Sequence, residues 1–153
     1  MRADQPPAGP VTYTADVVVY GPGPRGPVVL LIQRHKEPYA GDWALPGGKA
    51  EPGEEPHQTA VRELAEETGV VVSPEELVLV GRYDRPGRDP RGAYVSDAFL
   101  VTLAQLPVAR AGSDAARIRW WPVAELVGGE LAFDHTAILA DAAAVLARED
   151  QPG

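Results

Sequence analysis

Cysteine is absent from the 153-residue chain. That excludes disulfides, thiolate metal sites and cysteine nucleophiles, and it is compatible with a reducing cytoplasm. Basic residues are also scarce: 14 Lys and Arg against 22 Asp and Glu give a formal net charge of -8. General attraction to nucleic acid or to an anionic membrane surface is therefore disfavoured, and neither is expected as a partner. An anionic substrate would have to be met by local cations. Long hydrophobic runs are missing too, because Arg, Asp, Pro or Gly interrupts every apolar segment well short of the roughly 20 residues that cross a bilayer. Met1 to Pro10 holds three prolines and no apolar run of signal-peptide length, so a cytoplasmic location is expected. There is no internal repeat.

What is present is ordinary for a packed globular core: 44% hydrophobic and 24% charged residues. The length fits one domain, with residues 1–10 as a loose arm, 11–149 as the domain and 150–153 as a tail. Val11 to Tyr20 and Val28 to Ile32 flank the turn Gly21 to Gly26 and read as a hairpin. Pro46-Gly47-Gly48 and Pro52-Gly53 read as breaks in regular structure. A helix then follows from about Pro56 to Thr68, with Pro56 in its first turn and Gly69 as its C-terminal cap. Leu77 to Tyr83, Ala93 to Leu103 and Ile118 to Trp121 read as further strands, and Asp134 as the cap of a last helix over Thr136 to Arg148. The fold class expected is α/β, a mixed sheet with helices packed against it.

On the first helix Glu63, Glu66 and Glu67 fall within an arc of about 100°, while Ala60, Val61, Leu64, Ala65 and Thr68 form an adjoining apolar stripe. The stripe can pack on the sheet and leave the acids facing outward. Three like charges at this spacing either form a solvated face or share hard cations such as Mg²⁺ or Mn²⁺. Glu54 precedes Pro56 and falls on the opposite side, where it can hold the loop or orient Arg62. Arg62 itself lies one turn before Glu66 and can pin that carboxylate.

Gly48, Glu54, Arg62, Glu63, Leu64, Glu66, Glu67, Gly69 and Val70 match G-x5-E-x7-R-E-U-x-E-E-x-G-U, where U is aliphatic. This resembles the Nudix box at every specified position, and Trp43-Ala44-Leu45-Pro46-Gly47-Gly48 is similar to the segment that usually precedes it. The resemblance implies a Nudix fold, an α/β/α sandwich, and metal-dependent hydrolysis of a diphosphate linkage in a small-molecule nucleotide. It further implies Mg²⁺ or Mn²⁺ held by Glu63, Glu66, Glu67 and the carbonyl of Gly47. Glu63, Glu66 and Arg62 would serve catalysis, while Gly48, Glu54 and Gly69 would be structural. A homodimer is also expected on this ground.

A diphosphate resists attack because its oxygens are negative, so its charge must be neutralised and a water must be deprotonated in line with the leaving group. No glutamate occurs from Val78 to Ala124. A base in the later loops would have to be Asp97 or Asp114, each of which reads equally as an outward strand residue or a turn residue; otherwise Glu66 serves.

Tyr83-Asp84-Arg85-Pro86-Gly87-Arg88-Asp89-Pro90-Arg91-Gly92, with Ser96 beyond it, resembles the D-x-P-x-R-D-P-R-G loop of Nudix ADP-ribose pyrophosphatases and of their ADP-ribose-sensing relatives. So does Leu131-Ala132-Phe133-Asp134-His135. The resemblance implies ADP-ribose, cut to AMP and ribose 5-phosphate, with Arg34, Arg85, Arg88, Arg91 and Ser96 meeting the substrate; arginine forks suit phosphates. A plain surface turn is the alternative. His135 reads mainly as a packing residue beside the cap Asp134. Trp120 and Trp121 should face opposite sides of the sheet, and Trp43 either stacks on a base or closes the core. Two other functions stay open: hydrolysis of a nucleoside triphosphate or dinucleoside polyphosphate, and a non-catalytic ADP-ribose sensor. The sensor is disfavoured by the intact box and by the short stretch after Asp134, which leaves no room for a winged helix.

Overall fold

A computed structural model describes residues 10–112, 115–126 and 130–149. Most of the arm, the tail and Asp114 lie outside them. The described residues form strands β1 (Val11–Gly23), β2 (Gly26–Arg34), β3 (Trp43–Ala44) and β4 (Gly47–Lys49), then helix α1 (Pro56–Thr68). Strands β5 (Val78–Tyr83), β6 (Ala93–Thr102) and β7 (Ala115–Pro122) follow, and helix α2 (His135–Glu149) comes last. Short 3₁₀ turns occupy Pro74–Glu76 and Val123–Leu126.

One mixed sheet runs β3-β2-β1-β6-β5, with β7 on the other edge of β2. The central strand β1 pairs in parallel with β6 along Val11 to Tyr20. Val17, Val18 and Val19 are fully buried in succession, because both faces of this strand are covered and its apolar run needs no alternation. Ala15, Val17 and Val19 face α1, where Ala60 and Leu64 pack with Val70, Phe99 and Val101. Val18 and Tyr20 face α2 and meet Leu31, Ala98, Leu100, Ile138 and Ala142. This is the expected α/β/α sandwich. Trp120 packs on the α1 side and Trp121 on the α2 side, as the two-residue period requires. Trp43 meets Trp121 edge-on at 5.6 Å between centroids.

Helix α1 begins with Glu55 N–H donating to Gln58 Oε1 at 2.8 Å, has Pro56 in its first turn, and ends at Gly69 in a left-handed conformation, φ 75°. One expectation is corrected. Gly47–Lys49 is not a break in regular structure; it is a strand, antiparallel to Thr14–Asp16 of β1. β2 shares only the far end of that edge, at Tyr20 to Gly23. The two long strands therefore part, and the β3–β4 connection fills the notch between them. The notch positions the site.

Candidate active site

Leu45, Pro46 and Gly47 are stitched into the notch one residue at a time. Leu45 N–H donates to His135 Nδ1 at 3.0 Å, Pro46 C=O accepts from Val17 N–H at 2.9 Å, and Gly47 N–H donates to Glu67 Oε1 at 2.7 Å. A Cβ on Gly47 would lie 2.2 Å from the Ala15 carbonyl oxygen and 2.4 Å from Asp16 Oδ1, so no side chain fits there. A Cβ on Gly48 would lie 2.5 Å from the Glu63 carboxyl carbon. Bare backbone lets the acidic face of α1 approach β4.

Arg62 organises that face. Its Nε and Nη2 donate to Glu54 at 2.6 and 3.0 Å, Nη1 to Glu63 at 2.8 Å and Glu66 at 3.2 Å, and Nη2 also to the Lys49 carbonyl at 2.9 Å. Glu54 accepts in addition from Glu51 N–H and the Thr59 hydroxyl, both at 2.8 Å. Hydrogen bonding from Arg62 first, then from the Glu51 amide, holds the Glu54 carboxyl at about 2, far below its ordinary 4.5. Arg62 is raised, through Glu54 foremost.

The three box acids differ in exposure. Glu66 is open, with its side chain 59% exposed. Glu63 is largely covered. Glu67 is only 7% exposed, which corrects the expectation that it faces outward with Glu66. Its carboxylate caps the Gly47 amide, and its own carbonyl accepts from Gly112 N–H at 2.7 Å, while Arg110 N–H donates to the Thr68 carbonyl at 2.8 Å. A segment over forty positions away in sequence thus closes the end of α1, with Gly112 in van der Waals contact where a Cβ would meet the Glu66 carbonyl oxygen at 1.9 Å.

Hard oxygen donors beside side-chain-free backbone suit a divalent cation. Among the described residues no three acidic or histidine side chains already converge as ligands. Glu63 and Glu66 turn to Arg62 and Glu67 to Gly47. The donor chemistry fits, and binding requires these carboxylates to exchange partners.

Adjoining Gly47 and Gly48 is a cleft of about 60 Å³ whose lining includes Asp16, Arg34, Arg88, Arg91, Tyr94 and Phe133. The arginines are held unequally. Arg88 binds Asp134 bidentately at 2.8 and 2.6 Å, and Arg91 binds Asp89 at 3.0 and 2.8 Å. Arg34 donates Nε to the Pro38 carbonyl at 2.7 Å and lies 4.8 Å above the Phe133 ring, with no carboxylate in ion-pair contact among the described residues. Burial, then the neighbouring Arg91 charge, push Arg34 below its ordinary range. Phe133 and Tyr39 touch at 4.7 Å between centroids, and both adopt positive φ, 56° and 63°. Such strain in bulky residues clusters at functional sites.

Three expected residues are not brought to the cleft. Ser96 is fully buried and donates to Asp16 Oδ2 at 2.6 Å, so it serves a buried carboxylate and cannot touch substrate. Asp97 sits on the α1 face of the sheet with both oxygens held by Arg82, at 2.9 and 3.0 Å, which leaves it poorly placed as a base. Arg85 is exposed and outside the lining. Asp134 caps α2 with its carbonyl, which accepts from Ala137 and Ile138, while its carboxylate goes to Arg88. Sequence reasoning missed Asp16, Tyr94 and Phe133. Asp16 had a signal: one carboxylate inside a run of buried valines demands partners. Ser96 hydrogen-bonds it, and His135 Nε2 stands nearby at 3.6 Å. Burial, the largest influence, lowers His135 and favours its neutral form.

A mixed sheet clasped between two helices, with an acidic helix facing a glycine-floored notch, defines a known class. The family model of the NUDIX domain matches residues 10–142, and the chain belongs to the Nudix family. It is 40% identical over 113 residues to the ADP-ribose pyrophosphatase of Methanocaldococcus jannaschii, covering 74% of this chain and 64% of that protein. It is 46% identical over 74 residues to putative 8-oxo-dGTP diphosphatase 2 of Mycobacterium tuberculosis, covering 48% of this chain and 49% of that one. The chain thus spans about half to two thirds of the length of these curated relatives. Among solved structures, the NUDIX domain of Shewanella oneidensis NrtR complexed with ADP ribose superposes with a TM-score of 0.83 at 29% identity, covering 94% of this chain and 95% of that one. No helix among the described residues is long and apolar enough to cross a membrane.

Proposed function

We propose that this chain hydrolyses the diphosphate of ADP-ribose to AMP and ribose 5-phosphate. The observation that carries this reading is the junction of two unlike surfaces at Gly47–Gly48. On one side stand the box carboxylates, on the other a cleft with three arginines, of which Arg34 has no carboxylate contact among the described residues. Likeness to an ADP-ribose pyrophosphatase and to an ADP-ribose-bound domain supports the choice of substrate.

Glu63, Glu66, Glu67 and the Gly47 carbonyl would hold divalent metal, Mg²⁺ or Mn²⁺. When bound, the metal supplies Lewis acidity toward phosphoryl oxygen and lowers the pKa of water. Arg34 and Arg91 neutralise and orient the diphosphate, a binding role that changes little between ground and transition state. Arg88, almost fully covered, ties the Asp84 to Gly92 loop to the start of α2. Glu66, the most exposed of the box acids, is the base that best reaches a water. Arg62 keeps Glu63 and Glu66 on the notch side of α1. The cytoplasm as its location and a homodimer as its state belong to the same reading.

The 8-oxo-dGTP likeness gives a second reading, a nucleoside triphosphate pyrophosphohydrolase. Kinetics on ADP-ribose, 8-oxo-dGTP, dGTP and diadenosine polyphosphates with Mg²⁺ and with Mn²⁺ decide between them. ADP-ribose should show the highest kcat/KM, with AMP and ribose 5-phosphate as products. A triphosphate preferred by tenfold or more overturns the substrate and leaves the family standing.

A further inference from the structure

We propose that His135 is a positioning residue for this chemistry, holding the Leu45 amide so that the Gly47 carbonyl keeps its place at the metal site. The inference rests on the functional reading above, in which that carbonyl is a donor. Leu45 lies between β3 and β4, outside either ladder, and its buried N–H needs a partner. That partner comes from the first residue of α2, ninety positions away. Because Nδ1 accepts, the ring proton is assigned to Nε2. Nε2 stands 3.6 Å from Asp16 Oδ1, and Asp16 Oδ2 accepts from Ser96. Ser96, Asp16, His135 and Leu45 therefore line up, buried, from β6 through β1 and α2 to the notch, hydrogen-bonded at the Ser96–Asp16 and His135–Leu45 steps and only adjacent, at 3.6 Å, between Asp16 and His135.

Two members of this row bear on Gly47. Leu45 is two residues before it, and Asp16 Oδ1 occupies the space a Gly47 side chain would need. Of the three anchors on Leu45, Pro46 and Gly47, one comes from β1 and one from α1. His135 supplies the anchor from α2, beside Phe133 and Asp134, which shape the arginine cleft. It is the link by which the substrate side fixes the metal side. His135 also edges the cleft, but it is buried, and an outer partner of this kind acts on affinity and rate through the group it holds.

The test compares His135→Leu, His135→Asn and His135→Gln. Asparagine places its amide oxygen where Nδ1 stands, whereas glutamine reaches toward Nε2 and leaves Leu45 without an acceptor. The readouts are exchange of the Leu45 amide by NMR, the Mn²⁺ dissociation constant, and kcat and KM on ADP-ribose. His135→Leu should speed Leu45 exchange, weaken Mn²⁺ binding and lower kcat by about ten- to hundredfold, with KM moved far less. His135→Asn should recover most of this and His135→Gln little. If His135→Leu does not fold, the asparagine and glutamine variants carry the same decision. Asparagine no better than glutamine overturns the proposal, as does unchanged Mn²⁺ affinity and kcat once Leu45 exchange has accelerated. Unchanged Leu45 exchange in every variant overturns the hydrogen bond itself. A wild-type chain that binds no Mn²⁺ overturns the functional reading instead.

Discussion

The two sides of the notch hold their charges in opposite ways. On the α1 side a single cation, Arg62, gathers Glu54, Glu63 and Glu66. On the cleft side each cation has its own arrangement: Arg88 with Asp134, Arg91 with Asp89, and Arg34 on a carbonyl and a ring. One side is a hub, whose loss disturbs several acids together; the other gives each cation its own acceptor, with Arg34 and Arg91 still coupled through their mutual repulsion and the Phe133 ring they share. The hub orders acids that repel one another. The pairs ration how much positive charge the cleft presents.

The sharpest break in this comparison should come from Glu66→Gln. As the proposed base it should lower kcat by about 10²- to 10⁴-fold. Because the side chain is exposed and loses like-charge repulsion with Glu63, the melting temperature should hold or rise slightly. Glu67→Gln should differ: with its carboxylate buried on the Gly47 amide, it should lose both activity and melting temperature. Turnover and thermal unfolding on both variants check this, and equal stability of the two would mean that Glu67 carries no structural load.

Next come the separate pairs. Arg34→Ala and Arg91→Ala should each raise KM for ADP-ribose about ten- to hundredfold with kcat changed much less, the signature of lost uniform binding. Arg88→Ala should instead lower the melting temperature, since it strands Asp134. Arg85→Ala, outside the cleft, should alter neither constant. A KM for Arg85→Ala as high as for Arg34→Ala would redraw the cleft.

The smallest effect sharpens the hub. Glu54 titrates at about 2 in the folded chain against an ordinary 4.5. The stability this contributes is fully present above pH 4.5 and is lost as pH falls from there through about 2. In Arg62→Met that acid-side decline in melting temperature should flatten, and an unchanged slope would show that Arg62 is not what depresses Glu54.

How much of this was legible depends on how far each residue's partner lies along the chain. Helix α1 could be read from its own residues, because Pro56, the apolar stripe and Gly69 are local signals. The Arg62 contacts with Glu54 and Glu66 were likewise within reach of the helical period. The burial of Glu67 was not: a helical wheel gives direction, not what meets the side chain, and here its carboxylate is taken by the Gly47 amide, from outside the helix. Strand β4 was hidden because Pro-Gly-Gly carries turn signals, while its pairing comes from the gap left by β2. Ser96 and Asp97 were read without regard to the face of β6 each occupies, and which face holds the cleft depends on the parallel register of β6 with β1.

That register has a kinetic consequence. Val11 pairs with Ala93, and Leu45 with a histidine near the far end of the domain. Pairings of such sequence separation form late, after loop closure has been overcome, and they slow folding. A nascent chain that has emerged through Val70 already holds the whole signature segment, but neither β6 nor α2 exists to seat it. Ligand recognition should therefore appear only in the last step of folding, so that the ability to bind reports completion of the domain and not the synthesis of its motif.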